Sequence, residues 1–274
     1  MSRIPAAFRR LKKNNEAALV PYLTVGYPSL QTTRTLLPVI ARQGADMIEL
    51  GVPYSDPLAD GATIQRASQA SLEAGVTLTD CLSVAAEARR SNEVPILLMS
   101  YYNPLHKYGL ERFAEDAASS GVDGLIVPDL PPDEAGELKT ACDSHNIDLI
   151  FLLAPTSTEE RIRRVTEMAS GFIYCVSLTG VTGARAELSQ ALPDLISRVR
   201  PHTDLPLVAG FGISTPEQIA DVVKVADGAI VASALINLIE TLPEDDLIIG
   251  VSDFIRSMKE ATLGIRDQGS GIRD

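Results

Sequence analysis

Eight short apolar runs alternating with helical patterns predict an α/β chain: a single (β/α)8 TIM barrel with a short N-terminal helix and extra loops after strands 2 and 6. The runs fall at 18–24, 47–51, 96–100, 124–128, 148–153, 172–177, 207–210 and 228–232 and are often β-branched, as strands covered on both faces are. The helical patterns include 32–43, 110–119, 132–145, 158–169 and 216–225, several opened by Ser, Thr, Asp or Pro. A length of 274 residues suits one such barrel, and eight units favour closure over an open doubly wound sheet.

At the N-terminus, Ile4, Phe8 and Leu11 recur at helical spacing, which predicts a short amphipathic helix closing one end of the core. The basic residues Arg3, Arg9, Arg10, Lys12 and Lys13 also suit a transit peptide, but no signal-type apolar stretch follows them. The barrel domain is expected over 1–262. The tail, 263–274, repeats Gly-Ile-Arg-Asp around Gln-Gly-Ser, has too few apolar residues to pack, and is expected to be disordered. The body of the chain shows no linker, low-complexity tract or true repeat.

In the second strand, alternation puts Met47 and Glu49 on one face and Ile48 and Leu50 on the other. If the aliphatic pair meets the outer helices, Glu49 points into the barrel, where a carboxylate out of water is pushed toward a pKa useful for proton transfer. A structural salt bridge is the alternative. Asp56 and Asp60 follow in a turn-rich loop that opens into a helix near Thr63, and these carboxylates can return over the mouth toward Glu49 to form a paired acid site, with Asp60 eleven residues after Glu49. Asp60 before Gly61 can equally cap that helix, and Asp56 before Pro57 can equally serve as a turn former.

The longest intervals between strand starts follow strands two and six, which places the extra chain at the C-terminal face where barrel active sites lie. After the sixth strand, 177–185 reads as a mobile lid whose Gly183 amide can meet a phosphate, or as an irregular surface loop. The seventh strand ends in Gly210-Phe211-Gly212, with a helix start at Thr215-Pro216. The eighth runs through Ala232-Ser233 into another helix start. Two such starts offer amides and helix dipoles to a phosphate, tight packing of the glycines being the alternative.

Composition narrows the classes further. Lys and Arg total 24 against 36 Asp and Glu, and a balance of −12 opposes binding to nucleic acid or an anionic membrane. No uncharged apolar run reaches the ~18 residues of a membrane helix. The odd set Cys81, Cys142 and Cys175, without a CxxC pair, suits a reducing cytoplasm rather than a disulfide framework. His106, His145 and His202 lack metal-ligand spacing and read as surface or loop residues, so no metal site is expected.

These motifs resemble those of the tryptophan synthase alpha chain family over essentially the whole chain to about residue 262. The resemblance rests on Pro21-Tyr22-Leu23-Thr24-Val25-Gly26-Tyr27-Pro28, on the stretch from Glu49-Leu50-Gly51 through Asp60-Gly61, on Val127-Pro128-Asp129-Leu130-Pro131, on Thr179-Gly180-Val181-Thr182-Gly183, and on Gly210-Phe211-Gly212-Ile213. It implies a lyase that splits indole-3-glycerol phosphate into indole and glyceraldehyde 3-phosphate by a retro-aldol step. Glu49 would be the acid-base residue and Asp60 the acceptor of the indole N–H. By the same resemblance Tyr174, Thr182, Gly183, Gly212 and Ser233 would bind substrate, with Thr182 on a lid that meets Asp60. Position 232 departs from the pattern, being Ala where many relatives carry Gly.

The resemblance also implies a beta-chain partner in a heterotetramer of two alpha and two beta chains. That partner would hold pyridoxal phosphate, and this chain would need no cofactor. Loops 53–60 and 128–132 would form the interface. A stand-alone lyase releasing free indole, another sugar-phosphate barrel enzyme, and a non-catalytic phosphate-ligand-binding regulator of a partner are the rival readings. Glu49 and Asp60 count against the last.

Overall fold

The computed structural model describes residues 2–176, 185–210 and 212–263, with 185–190 as helical backbone. Expectations for 177–184 and 264–274 lie outside the described residues. In chain order the elements are α1 (Ile4–Asn14), β1 (Ala18–Thr24), α2 (Leu30–Arg42), β2 (Ile48–Gly51), α3 (Ala62–Glu73), α4 (Leu78–Arg89), β3 (Ile96–Met99), α5 (Tyr102–Tyr108), α6 (Leu110–Ser119) and β4 (Gly124–Ile126). There follow α7 (Gly136–Ser144), β5 (Asp148–Leu153), α8 (Glu159–Met168), β6 (Ile173–Val176), α9 (Arg185–Val199), β7 (Leu207–Gly210), α10 (Pro216–Val222), β8 (Gly228–Val231), α11 (Ser233–Thr241) and α12 (Glu244–Glu260). Each strand pairs in parallel with the next, and β1 with β8 closes the barrel.

Local chemistry sets several boundaries. Ser29 accepts from the Thr32 amide and starts α2 two residues before the apolar pattern does. Thr77 with Asp80, and Thr215 with Gln218, form capping boxes on α4 and α10. The pattern at 132–145 is not one helix. A single 3-10 turn, Pro132–Glu134, precedes α7, and the break falls at Ala135, just ahead of Gly136, a poor helix former. The extra chain after the second strand is a loop followed by a whole helix, α3, ahead of α4.

Outward side chains such as Leu19, Ile48, Leu50 and Leu98 join the helices in one continuous apolar layer. Inward ones form a second cluster of Val20, Met47, Leu97, Ile126, Ile150, Phe172 and Val208, which Ile4 and Leu11 of α1 close from below. Phe8 meets Phe172 edge-on at 6.1 Å, so α1 is the predicted plug.

At the strand starts one arrangement recurs four times, without any repeat visible in the sequence. The Asp46 carboxylate accepts from the Leu19 amide at 3.0 Å, and the Asp46 amide donates to the Leu19 carbonyl at 2.9 Å. Asp123 does the same with Ile96, Asp227 with Leu207, and Ser170, through its hydroxyl, with Leu149. Each bridges two neighbouring strands. Arg10 and Lys259 meet Asp46, Arg3 and Arg89 meet Asp123, and Arg200 meets Asp227. The anchored end is thus opposite the mouth.

Cys81, Cys142 and Cys175 are buried free thiols, and burial pushes Cys142 and Cys175 up to about 12, so they remain protonated. His106 is exposed, and His145 meets Glu111 at 2.9 Å near the surface. Among the described residues no cluster of His, Cys, Asp or Glu could hold a metal, and no helix is long and apolar enough to cross a membrane.

Candidate active site

At the C-terminal ends of the strands lies a pocket of about 180 Å³. Glu49 forms part of its floor, level with Tyr22 on β1 and Leu97 on β3. The alternation read from the sequence holds: Met47 is in the inner cluster, Ile48 and Leu50 are in the outer layer, and Glu49 is fully buried. Among the described residues neither carboxyl oxygen meets a hydrogen-bond partner or a cation, which goes against the salt-bridge alternative. Burial, and then the charge of Asp60, raises the pKa of Glu49 to about 8. At neutral pH it therefore holds its proton.

Asp60 lines the same pocket, half-buried at the rim. Its loop is folded on itself: the Asp60 amide donates to the Pro57 carbonyl at 3.0 Å, and Gln65 of α3 donates to the Asp60 carbonyl at 2.8 Å. The Asp60 carboxylate does not cap α3, which starts from Gly61 without a side-chain cap. Burial raises Asp60 to about 6, and a hydrogen bond from Tyr101 acts in the opposite direction. Asp56 takes the turn-forming role, its carbonyl accepting from the Leu58 amide at 2.9 Å, and does not line the pocket. The two carboxyls consequently differ at pH 7, one mainly neutral and one mainly charged.

Ile64, Met99, Ile126, Leu152 and Ile230 wall the pocket, leaving an apolar slot suited to a flat ring. Tyr174 enters from β6 and lies across Gly210. Burial, then the Glu49 charge, raises its phenol well above the ordinary range, so it stays a neutral donor.

The far side holds Gly212, Ile213, Ala232 and Ser233. Gly212 has φ +65°, a left-handed conformation that favours glycine. Of the two helix starts expected to serve a phosphate, only that of α11 borders the pocket. Ala232 and Ser233 line it, and the helix has no side-chain cap. The other is spent on itself: the Ser214 and Thr215 amides donate to the Gln218 side chain. Ala232 has φ −113°, which any L-residue adopts, and its methyl packs toward Tyr22 and Ile236. Thr182 and Gly183 lie outside the described residues.

Sequence reasoning gave Tyr22, Gly51 and Tyr101 no role of their own. Alternation along β1 could have placed Tyr22 inward beside Val20, whereas nothing local marks Tyr101. A larger hollow of about 340 Å³ lies at the opposite end, between α1 and the strand starts. Its Arg200 and Asp227 are already engaged with each other at 2.6 Å, in the anchoring arrangement of that face.

A model of the tryptophan synthase alpha chain family matches residues 8–262. The tryptophan synthase alpha chain of Chloroflexus aggregans is 52% identical over 263 residues, covering 96% of this chain and 98% of that one. That of Roseiflexus castenholzii is 54% identical over 260 residues, covering 94% and 100%. Among solved structures, Mycobacterium tuberculosis tryptophan synthase superposes with a TM-score of 0.89 at 39% identity, covering 96% of this chain and 99% of that chain. Tryptophan synthase subunit alpha from Legionella pneumophila gives 0.87 at 37% identity, covering 96% and 98%.

Proposed function

The chain belongs to the tryptophan synthase alpha chain family, and from that premise we propose how its own residues perform the family's reaction. It is the alpha subunit of tryptophan synthase, a lyase of tryptophan biosynthesis that cleaves indole-3-glycerol phosphate to indole and glyceraldehyde 3-phosphate. It works with a beta chain in a heterotetramer of two alpha and two beta chains.

The single observation that carries the assignment is a fully buried Glu49, without a hydrogen-bond partner among the described residues, facing the same slot as Asp60. Glu49 donates its proton to indole C3, which becomes tetrahedral and leaves positive charge on the ring nitrogen. Asp60 accepts the ring N–H and stabilises that charge. The Glu49 carboxylate then removes the proton of the glycerol hydroxyl. As that oxygen forms the aldehyde carbonyl, the bond from C3 to the glycerol carbon breaks and its electron pair restores the aromatic ring. Glu49 ends protonated as it began.

Tyr174 positions the glycerol portion, and Gly212 and Ser233 donate to the phosphate. The uncapped start of α11 supports this placement, since its amides have no intrahelical acceptor. Thr182 and Gly183 complete the phosphate and lid contacts. The family's alpha chain carries no pyridoxal phosphate itself, and that cofactor is assigned to the beta partner. Loops 53–60 and 128–132 form the interface, a reading supported by Leu58, an apolar side chain 94% exposed at the mouth. The barrel domain spans 1–262, and the protein acts in the cytoplasm.

The deciding experiment measures indole release from indole-3-glycerol phosphate by the purified chain, with and without beta chain. Glu49→Gln is expected to reduce it by on the order of 10²-fold or more while leaving the binding of glyceraldehyde 3-phosphate within a few-fold. Near-normal turnover of the variant would remove Glu49 from the mechanism. Strong stimulation by beta chain separates a subunit from a stand-alone lyase.

A further inference from the structure

Asp60 belongs to a turn-rich loop, yet its role requires the carboxylate to stay at one place beside the ring. We propose that Tyr101 is the positioning residue that holds it there, through one hydroxyl that accepts from the Ala59 amide and donates to the Asp60 carboxylate. This rests on the assignment of Asp60 made above.

The Ala59 amide lies 2.9 Å from the Tyr101 hydroxyl. An amide can only donate, so the phenol oxygen accepts, and its single proton is left for the neighbouring Asp60 carboxylate, whose charged form the hydroxyl favours. One side-chain atom thereby holds Ala59 and faces the carboxylate of the next residue, Asp60. The ring itself is fixed from several elements. It is buried and stacks on Tyr54 at 4.8 Å and 24°. The Tyr54 amide donates to Ser68 of α3 at 2.8 Å, and the Ser68 hydroxyl donates back to the Tyr54 carbonyl at 3.2 Å. The next amide, of Tyr102, donates to Asp129 after β4 at 2.9 Å.

The titratable groups around Asp60 are Glu49, Tyr22, Tyr174 and Tyr101, with Asp129 behind Tyr101. All are neutral or anionic, and no Lys or Arg is among the described residues that line the pocket. A donor hydroxyl is therefore the feature that favours the charged form of Asp60. Burial and the Asp60 charge raise the Tyr101 phenol, which keeps its proton throughout the working range.

The test is the pH profile of indole release by the complex with beta chain. Tyr101→Phe is expected to lower kcat about tenfold while KM changes less than about threefold, the loss of one hydrogen bond to a charged group. The acid limb, set by Asp60 near pH 6, should move upward by about one unit. Tyr54→Leu removes the stack but leaves the hydroxyl, and its acid limb should stay in place. A fluorinated tyrosine at 101, being the stronger donor, should move the limb downward, and it serves if Tyr101→Phe fails to fold.

An unmoved limb in Tyr101→Phe, or in the fluorinated protein, overturns the proposal. Equal movement in Tyr54→Leu also overturns it, since packing would then be the cause. Asp60→Asn is made in parallel: if it keeps normal turnover, the assignment of Asp60 itself fails, which is a separate result from failure of Tyr101.

Discussion

A Cβ on Gly51 would overlap the Tyr22 hydroxyl, so the glycine at the end of β2 is what allows the Tyr22 ring to lie across the pocket. Gly51 and Glu49 point the same way, two residues apart, and the ring thus roofs the acid. Gly51→Ala is expected to displace Tyr22 and lower kcat/KM by about 10²-fold, since misplacement of order 1 Å has that effect. Steady-state kinetics check the loss. A variant within twofold of the parent would show that the contact is easily relieved.

The differing states of Glu49 and Asp60 predict a bell-shaped pH dependence. The reaction needs Glu49 protonated and Asp60 charged, so kcat/KM should fall below about pH 6 and above about pH 8. In Asp60→Asn the acid limb near 6 should vanish while the alkaline limb moves down, because the Asp60 charge helps hold Glu49 up. An alkaline limb that stays in place would contradict the coupling.

The same shift carries a cost in stability. Above an ordinary pKa of about 4.3 the unfolded chain releases the Glu49 proton while the folded chain retains it up to about pH 8. The unfolded state thus binds fewer protons, and stability falls as pH rises through that window. Glu49→Gln removes the penalty, and urea denaturation should find the variant more stable at pH 7 by on the order of 3 kcal/mol. The gain should shrink toward zero near pH 4.

Asp123 separates stability from activity. Its carboxylate accepts from Ile96 at 3.0 Å, Arg89 at 2.7 Å and Arg3 at 3.1 Å, all at the face opposite the pocket. Asp123→Ala leaves a buried amide and a half-buried guanidinium without their acceptor. The expected loss is about 3–5 kcal/mol in denaturant unfolding, with kcat of the folded protein within about twofold. A comparable loss of kcat would show that the two faces are coupled.

Leu58 tests the interface. Leu58→Asp should weaken beta-chain binding by about tenfold or more, as truncation of a central apolar anchor does. Indole release by the isolated chain should remain unchanged. Titration of beta chain into the variant, read by stimulation of indole release, provides the measurement.

The legible parts of the molecule are those encoded over short distances. Alternation aimed Glu49 inward because successive strand side chains must take opposite faces, and the spacing of Ile4, Phe8 and Leu11 defined the plug. The capping box at Thr215 was visible as a helix start. Its consequence was not, because only the fold shows Gln218 consuming the Ser214 and Thr215 amides and leaving α11 to border the pocket. The break at Ala135 was lost within an otherwise helical pattern.

By itself, then, the amino-acid order determined the eight strand and helix units, the inward acid on β2 and the family motifs around the mouth. All of these depend on periodicity or contiguous residues. The tertiary structure alone decided that Tyr101 sits under the Ala59 and Asp60 loop, that Tyr22 covers Gly51, and that four residues bridge the strand starts in pairs. It also decided how strongly burial shifts Glu49 and Asp60. Partners such as Ala59 and Tyr101 meet only once the barrel closes, and desolvation is a property of everything packed around a group, which no local pattern records.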